Sequence, residues 1–172
     1  MENNLIEPRL STYLHTKAAA KGVPVSGTFE LTPRCNLACR MCYVRMSAAE
    51  ERAAGCELTA DEWLRIAEAA RAKGMLFLLL TGGEPLVRKK DIIKLCEKHS
   101  DCEFNAFTNA TLVDEEFCRD MERVGNLTLS ISLEGFEEVN DMRRGEGDFQ
   151  SVMAAMDMLK KHGLIFGTSI CY

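Results

Sequence analysis

The chain has 172 residues, of which 47% are hydrophobic and 27% charged, and it carries a net charge of −5 with a pI near 5.3. This composition excludes a disordered chain, a collagen and a coiled coil, and it supplies enough apolar material for the core of one domain. The longest apolar run, Met75–Leu80, falls far short of the ~18 residues of a membrane helix, and the start Met-Glu-Asn-Asn has neither the basic residues nor the apolar stretch of a secretory leader. The acidic balance argues against nucleic acid as a partner, so the expectation is a cytoplasmic protein with neither a membrane nor a nucleic-acid partner.

Along the chain, strand-like and helix-like segments alternate. Thr28–Thr32 is the first strand candidate, followed by a cysteine-rich loop and a polar stretch to Leu58. Thr59 with Glu62 makes a capping-box signature, and the helix it opens carries Trp63, Ile66, Ala67 and Ala70 on one face and stops at Gly74. The continuous run Leu76–Leu80 predicts a strand covered on both faces, ending at Thr81-Gly82-Gly83-Glu84-Pro85. A helix around Lys89–His99 leads to a strand at Glu103–Phe107. Asp114 then opens a helix with Phe117, Met121 and Val124 inward, closed by Gly125. Leu127–Leu133 is the fourth strand. From Asp148 runs a helix with Phe149, Val152, Met153, Met156 and Leu159 inward, basic Lys160 and Lys161 in its last turn, and Gly163 as its stop. Ile165–Cys171 reads as a fifth strand. Strands alternating with helices in this order predict an α/β protein with a parallel sheet, either open and doubly wound or curled toward a barrel. Both arrangements put chemistry at the carboxyl ends of the strands. The unusual residues fall there: the cysteine loop, Gly-Gly-Glu-Pro, Thr108-Asn109 and Glu134-Gly135.

Eight cysteines are many for a chain in a reducing compartment, and they point to metal or redox chemistry rather than to disulfides. Cys35, Cys39 and Cys42 form C-x3-C-x2-C, a spacing that chance would produce in such a chain about 0.02 times. Close thiolates of this kind suit a compact metal centre. A structural zinc site needs a fourth ligand, for which His15 or a carboxylate is available, and an iron–sulfur cube usually takes four thiolates. Three thiolates would leave one iron open, as a cluster that binds substrate requires. Cys96 and Cys118, on helices, read as small buried hydrophobes; Cys56, Cys102 and Cys171 show no ligand spacing.

The loop resembles that of the radical S-adenosylmethionine (SAM) superfamily, C-x3-C-x-Φ-C, with Met41 at the apolar position and Tyr43 following. Gly82-Gly83-Glu84 is similar to that family's GGE motif, Ser130-Ile-Ser132-Leu-Glu134-Gly135 to the end of its fourth strand, and Asn140-Asp141-Met-Arg143-Arg144-Gly145 to its H-D-x-x-R-G, with Asn140 where His is usual. Thr108-Asn109-Ala110 stands where relatives often carry T-N-G. The resemblance implies a partial parallel (βα) barrel of about four and a half βα units, with residues 1–26 as an N-terminal extension and 27–172 as the core. It implies a 4Fe–4S cluster on Cys35, Cys39 and Cys42 whose open iron chelates SAM. Gly82, Gly83 and Glu84 would meet the SAM amino group, Ser132 and Glu134 the ribose, and Arg144 the carboxylate, with Met41 beside the cofactor. Asn105, Thr108 and Asn109 are further candidates to face the cavity.

The function so implied is reductive cleavage of SAM to a 5′-deoxyadenosyl radical that removes hydrogen from a peptide or protein, in the style of SPASM-type enzymes. A small-molecule substrate is the other class, and flavodoxin or ferredoxin would be the reductant. The family core has six βα units, so a missing C-terminal domain is expected. Two other readings stand beside it, a short glycyl-radical activase and a non-catalytic iron–sulfur or metal-binding fragment.

Overall fold

A computed structural model describes residues 9–44 and 55–170. Its elements are α1 (Leu10–Ala19), β1 (Ser26–Thr32), α2 (Ala60–Ala72), β2 (Phe77–Gly82), a 3-10 turn (Pro85–Arg88), α3 (Lys89–Lys98), β3 (Glu103–Thr108), α4 (Glu115–Val124), β4 (Leu127–Ser132), α5 (Glu137–Arg144), α6 (Asp148–Lys161) and β5 (Phe166–Ser169). The helix signals act as the chemistry of helix ends dictates. Thr59 and Glu62 close a reciprocal capping box, the Asp114 carboxylate accepts from the Phe117 N–H, and Gly125 takes the left-handed conformation after α4.

All strand pairs are parallel, and their spatial order is their chain order, β1-β2-β3-β4-β5. Without a reversal of order there is no switch point, so the sheet winds in the barrel sense and not as a doubly wound sheet. The packed helix pairs α2–α3, α3–α4 and α4–α6 line up on one face of the sheet. Beneath them lies the core: Phe29, Leu31, Leu78, Leu80, Phe104, Ala106, Leu129 and Ile131 from the strands against Trp63, Ile92, Leu95, Phe117, Met121, Val152 and Leu159 from the helices. Cys96 and Cys118 are among these buried apolar side chains, and burial pushes the Cys96 thiol up to about 12.

The opposite, concave face is open, which corrects the expectation for Leu76–Leu80. Leu78 and Leu80 are buried, but Phe77 is 36% exposed and Leu79 is only half-buried, so β2 is covered on one side. A run of large apolar residues does not distinguish a helix from a cavity as the second cover. Helix α5 has no counterpart among the elements expected from the sequence. Only its Asn140 is buried, so it lacks an apolar stripe, and its start at Phe136 has no side-chain cap. Helix α1 lies before the sheet, where His15 stacks on Phe77 at 6.5 Å between ring centroids. Phe77 opens β2, whereas the cysteine loop follows the far end of β1, so His15 is at the wrong end of the sheet to complete a three-cysteine site. The fifth strand covers Phe166–Ser169 of the expected Ile165–Cys171; Cys171 lies outside the described residues. Among the described residues, no helix is long and apolar enough to cross a membrane.

Candidate functional site

The cysteine loop has no regular structure of its own and takes its shape from the elements it touches. A register shift between Glu30 and Thr32 turns the end of β1, burying both Leu31 and Thr32. Beyond it, the Gly83 N–H donates to the Thr32 carbonyl (2.7 Å) and the Glu84 N–H to the Arg34 carbonyl (2.8 Å). Arg34 is fixed to Glu57 by two side-chain bonds of 2.8 and 2.9 Å. Farther along, the Asn36 amide donates to Thr111 (2.8 Å), and the Arg40 N–H donates to the Arg143 carbonyl (2.9 Å) near the end of α5. The loop is therefore tied to the ends of β2, β3 and α5.

The two glycines explain themselves here. A Cβ on Gly82 would lie 2.2 Å from the Thr32 carbonyl oxygen, and one on Gly83 would lie 2.4 Å from that of Arg34. The close approach that their missing side chains permit is to the start of the cysteine loop. Glu84 is buried, and its carboxylate accepts from the Leu86 N–H (2.8 Å), the Thr108 hydroxyl (2.7 Å) and the Asn109 N–H (2.7 Å). Burial raises its pKa against the pull of these donors. The carboxylate thus clasps the end of β2 to the end of β3 and keeps capacity for one further donor.

On the other side, β4 and α5 supply a charged cluster. Arg144 donates to Glu134 at 2.5 Å and Arg143 stands 3.5 Å from its second oxygen, with the Glu134 side chain 2% exposed. The fully buried Asn140 accepts from the Glu134 N–H (3.1 Å) and donates to Asp148 (2.9 Å). Both arginine Nε atoms and one Asp148 oxygen are buried without a hydrogen-bond partner among the described residues. Ser132, at the end of β4, faces Ser169 of β5 across the sheet.

These groups surround one cavity of about 420 Å3 at the carboxyl ends of the strands, a volume within the range of small-molecule sites. Cys35, Cys39, Met41, Cys42, Gly82, Gly83, Glu84, Ser132, Glu134 and Arg144 all line it, as do Thr108 and Asn109. Asn105 does not; it bonds Thr128 and Ser130 lower on the concave face. The sequence reading missed Leu79, Thr81, Phe107 and Ser169 as lining residues. Strand alternation puts Leu79 and Thr81 on one face of β2, but it could not say that this face was the open one.

The donor set fits an iron–sulfur cube better than a single ion. Burial is the main cause holding the Cys35 and Cys39 thiols above their ordinary range; Cys42 adds to the rise at Cys35, and Cys35 and Cys42 add to it at Cys39, so the three sulfurs are close neighbours. Among the described residues no three His, Cys, Asp or Glu side chains converge on one point, as a zinc ion with bonds near ~2.3 Å would demand. A cube spreads its thiolates over separate irons and needs no such convergence.

Comparison with known proteins agrees. The family model of the radical SAM superfamily matches residues 29–172. The Fe-coproporphyrin III synthase of Methanosarcina barkeri is 30% identical over 142 residues, covering 81% of this chain and 35% of that protein. The sporulation killing factor maturation protein SkfB of Bacillus subtilis is 28% identical, covering 81% and 33%, and the PqqA peptide cyclase of Bradyrhizobium diazoefficiens is 34% identical, covering 68% and 30%. The chain thus spans about a third of the length of these relatives. Among solved structures, anSMEcpe with bound AdoMet and Cp18Cys peptide superposes with a TM-score of 0.70 at 21% identity, covering 84% of this chain and 42% of that one. Streptococcus suis SuiB bound to its precursor peptide SuiA gives 0.62 at 19% identity, covering 99% and 47%. Such structures share the fold. This chain belongs to the radical SAM superfamily, whose cofactors are a 4Fe–4S cluster and S-adenosylmethionine.

Proposed function

We propose that this chain is the catalytic core of a radical SAM enzyme acting on a peptide or protein. Cys35, Cys39 and Cys42 would hold three irons and leave the fourth for the amino and carboxylate groups of SAM. When bound, the reduced cluster supplies the electron that splits SAM into methionine and a 5′-deoxyadenosyl radical able to remove hydrogen from the substrate. A low-potential one-electron donor such as flavodoxin or ferredoxin would supply that electron.

The residues' part is to bind, orient and shield. Gly82 and Gly83 hold the loop against β2, and Glu84, with its remaining lone pair, accepts from the SAM ammonium. Arg144 neutralises the carboxylate through the guanidinium edge that Glu134 leaves free, Ser132 and Glu134 take the ribose, and Met41 lines the wall beside the cofactor. The observation that carries this reading is that the three cysteines share a single cavity with these groups at the carboxyl ends of the strands. A peptide substrate is supported by the open concave face and by the likeness to SkfB and PqqA cyclase. The match to Fe-coproporphyrin III synthase favours a second reading, a tetrapyrrole.

The test is low-temperature EPR of anaerobically reconstituted, reduced protein with and without SAM. A 4Fe–4S signal that changes shape on adding SAM is the expected result, and Cys39→Ala should lose the iron. Full iron content in that variant, or a signal indifferent to SAM, would overturn the assignment.

A further inference from the structure

The turn after β3 contains an arrangement that the binding roles above do not use. Ala110 has φ +61°, the left-handed region, and is the only non-glycine residue there among the described residues. The conformation costs an L-residue roughly 1–2 kcal/mol and persists only where its surroundings impose it. Here the Ala110 N–H donates to the Thr108 hydroxyl (2.9 Å), and the Val113 N–H donates to the Ala110 carbonyl (3.0 Å). The preceding Asn109 N–H is held by Glu84.

The result is a fixed orientation for the Asn109 side chain. Its Oδ1 accepts from both the N–H (3.0 Å) and the hydroxyl (2.7 Å) of Thr111. A backbone N–H can only donate, so the atom facing it is the oxygen and the amide cannot be flipped. The NH2 group must then point the other way, where it donates to Asn36 Oδ1 (3.0 Å) and to the Sγ of Cys35 (4.0 Å). Asn36 closes the ring by donating to Thr111. Asn109 itself is buried, 5% exposed. Cys35 also accepts from the Leu37 N–H (3.4 Å), but among the described residues Asn109 is the one side-chain donor to any of the three cysteine sulfurs.

We infer that Asn109 is a positioning residue that sets the reduction potential of the cluster through its hydrogen bond to the Cys35 sulfur. The inference rests on the assignment of Cys35 as a cluster ligand. Reduction adds one electron, taken from an external donor, and no proton; the added negative charge spreads onto the thiolate sulfurs. A donor held on one sulfur stabilises the reduced member more than the oxidised one and raises the potential, and hydrogen bonding to sulfur is one of the recognised determinants of these potentials. Charge on the sulfur also strengthens the bond itself.

The experiment is an anaerobic redox titration of the reconstituted protein, read by EPR of the reduced cluster, with iron content measured alongside. In Asn109→Ala the ratio of reduced to oxidised cluster at a fixed potential should fall about tenfold, equivalent for one electron to a midpoint about 59 mV lower. Asn109→Asp keeps the oxygen that Thr111 binds and turns a second oxygen toward the sulfur, so its midpoint should fall further, and it carries the test if the alanine variant does not fold. A normal iron content with an unchanged midpoint in the variant that folds would overturn the inference. So would loss of the cluster from both variants, because Asn109 would then hold the loop and not tune it. Absence of any 4Fe–4S signal from the unaltered protein would instead sink the functional reading.

Discussion

Replacing Gly83 by Ala separates a steric role for the Gly-Gly-Glu motif from a role in ligand contact. Gly83 has no positive φ, so its need for glycine is a matter of space alone. The new Cβ would stand 2.4 Å from the Arg34 carbonyl oxygen and 2.5 Å from that of Pro33. Ordinary contact requires about 3.5 Å, so the loop must retreat by about 1 Å. That retreat stretches the Gly83–Thr32 and Glu84–Arg34 backbone bonds, each contributing about 1 kcal/mol, and overpacking adds about 1–3 kcal/mol. The sum, about 3–5 kcal/mol, corresponds to a melting temperature lower by about 10 °C for a chain of this size. Gly27 is the control. Its added Cβ would meet only the Sδ and Cε of Met75, at 2.7 and 2.8 Å. That flexible side-chain end swings aside, so Gly27→Ala should cost less than about 1 kcal/mol. The assay is thermal unfolding by circular dichroism together with iron per chain after reconstitution. Gly83→Ala should lose both stability and iron, and Gly27→Ala neither. If the two variants melt together and load iron equally, the packing of β2 against the cysteine loop does not hold that loop in place.

Other consequences are open to simpler tests. Asn140→Ala leaves the Glu134 N–H and a buried Asp148 oxygen without their partner, which should cost about 2–4 kcal/mol in denaturant unfolding. Asp114→Ala removes the cap of α4 and the partner of Lys89; a loss of about 1–2 kcal/mol by the same measurement is expected. His162 bridges Glu115 and Glu122, joining α6 to α4, and those carboxylates, Glu115 first, raise its pKa above the ordinary 6.5. A raised folded pKa gives stability that is complete below 6.5 and fades as pH climbs through the folded value. The melting temperature of the unaltered protein should therefore fall across that alkaline window more than that of His162→Gln, and parallel curves would refute the clamp.

Much of the molecule was legible in the sequence because local chemistry decides it. The capping box at Thr59, the cap at Asp114, the stops at Gly125 and Gly163, and the C-x3-C-x2-C spacing depend on residues within a few positions of one another. So do the apolar stripes of the helices, with the exception of Ile66, which its spacing places on the stripe of α2 and which is 40% exposed. The alternation of strand and helix was enough to give the parallel sheet, and the end of each strand marked where the unusual residues would gather. Helix α5 escaped because its one buried residue is a polar Asn140, whose partners lie at Glu134 and Asp148, beyond any local pattern.

Only the tertiary structure decided which face of β2 is open, why Gly82 and Gly83 have no side chains, and what the Glu84 carboxylate holds. Each of these is a contact between segments distant in the chain: Gly83 with Arg34, Glu84 with Asn109, Asn109 with Cys35. Sequence states which groups are present and how they repeat. The distance and direction between groups from separate strands are set by the parallel register of the sheet, and they exist only once it has formed.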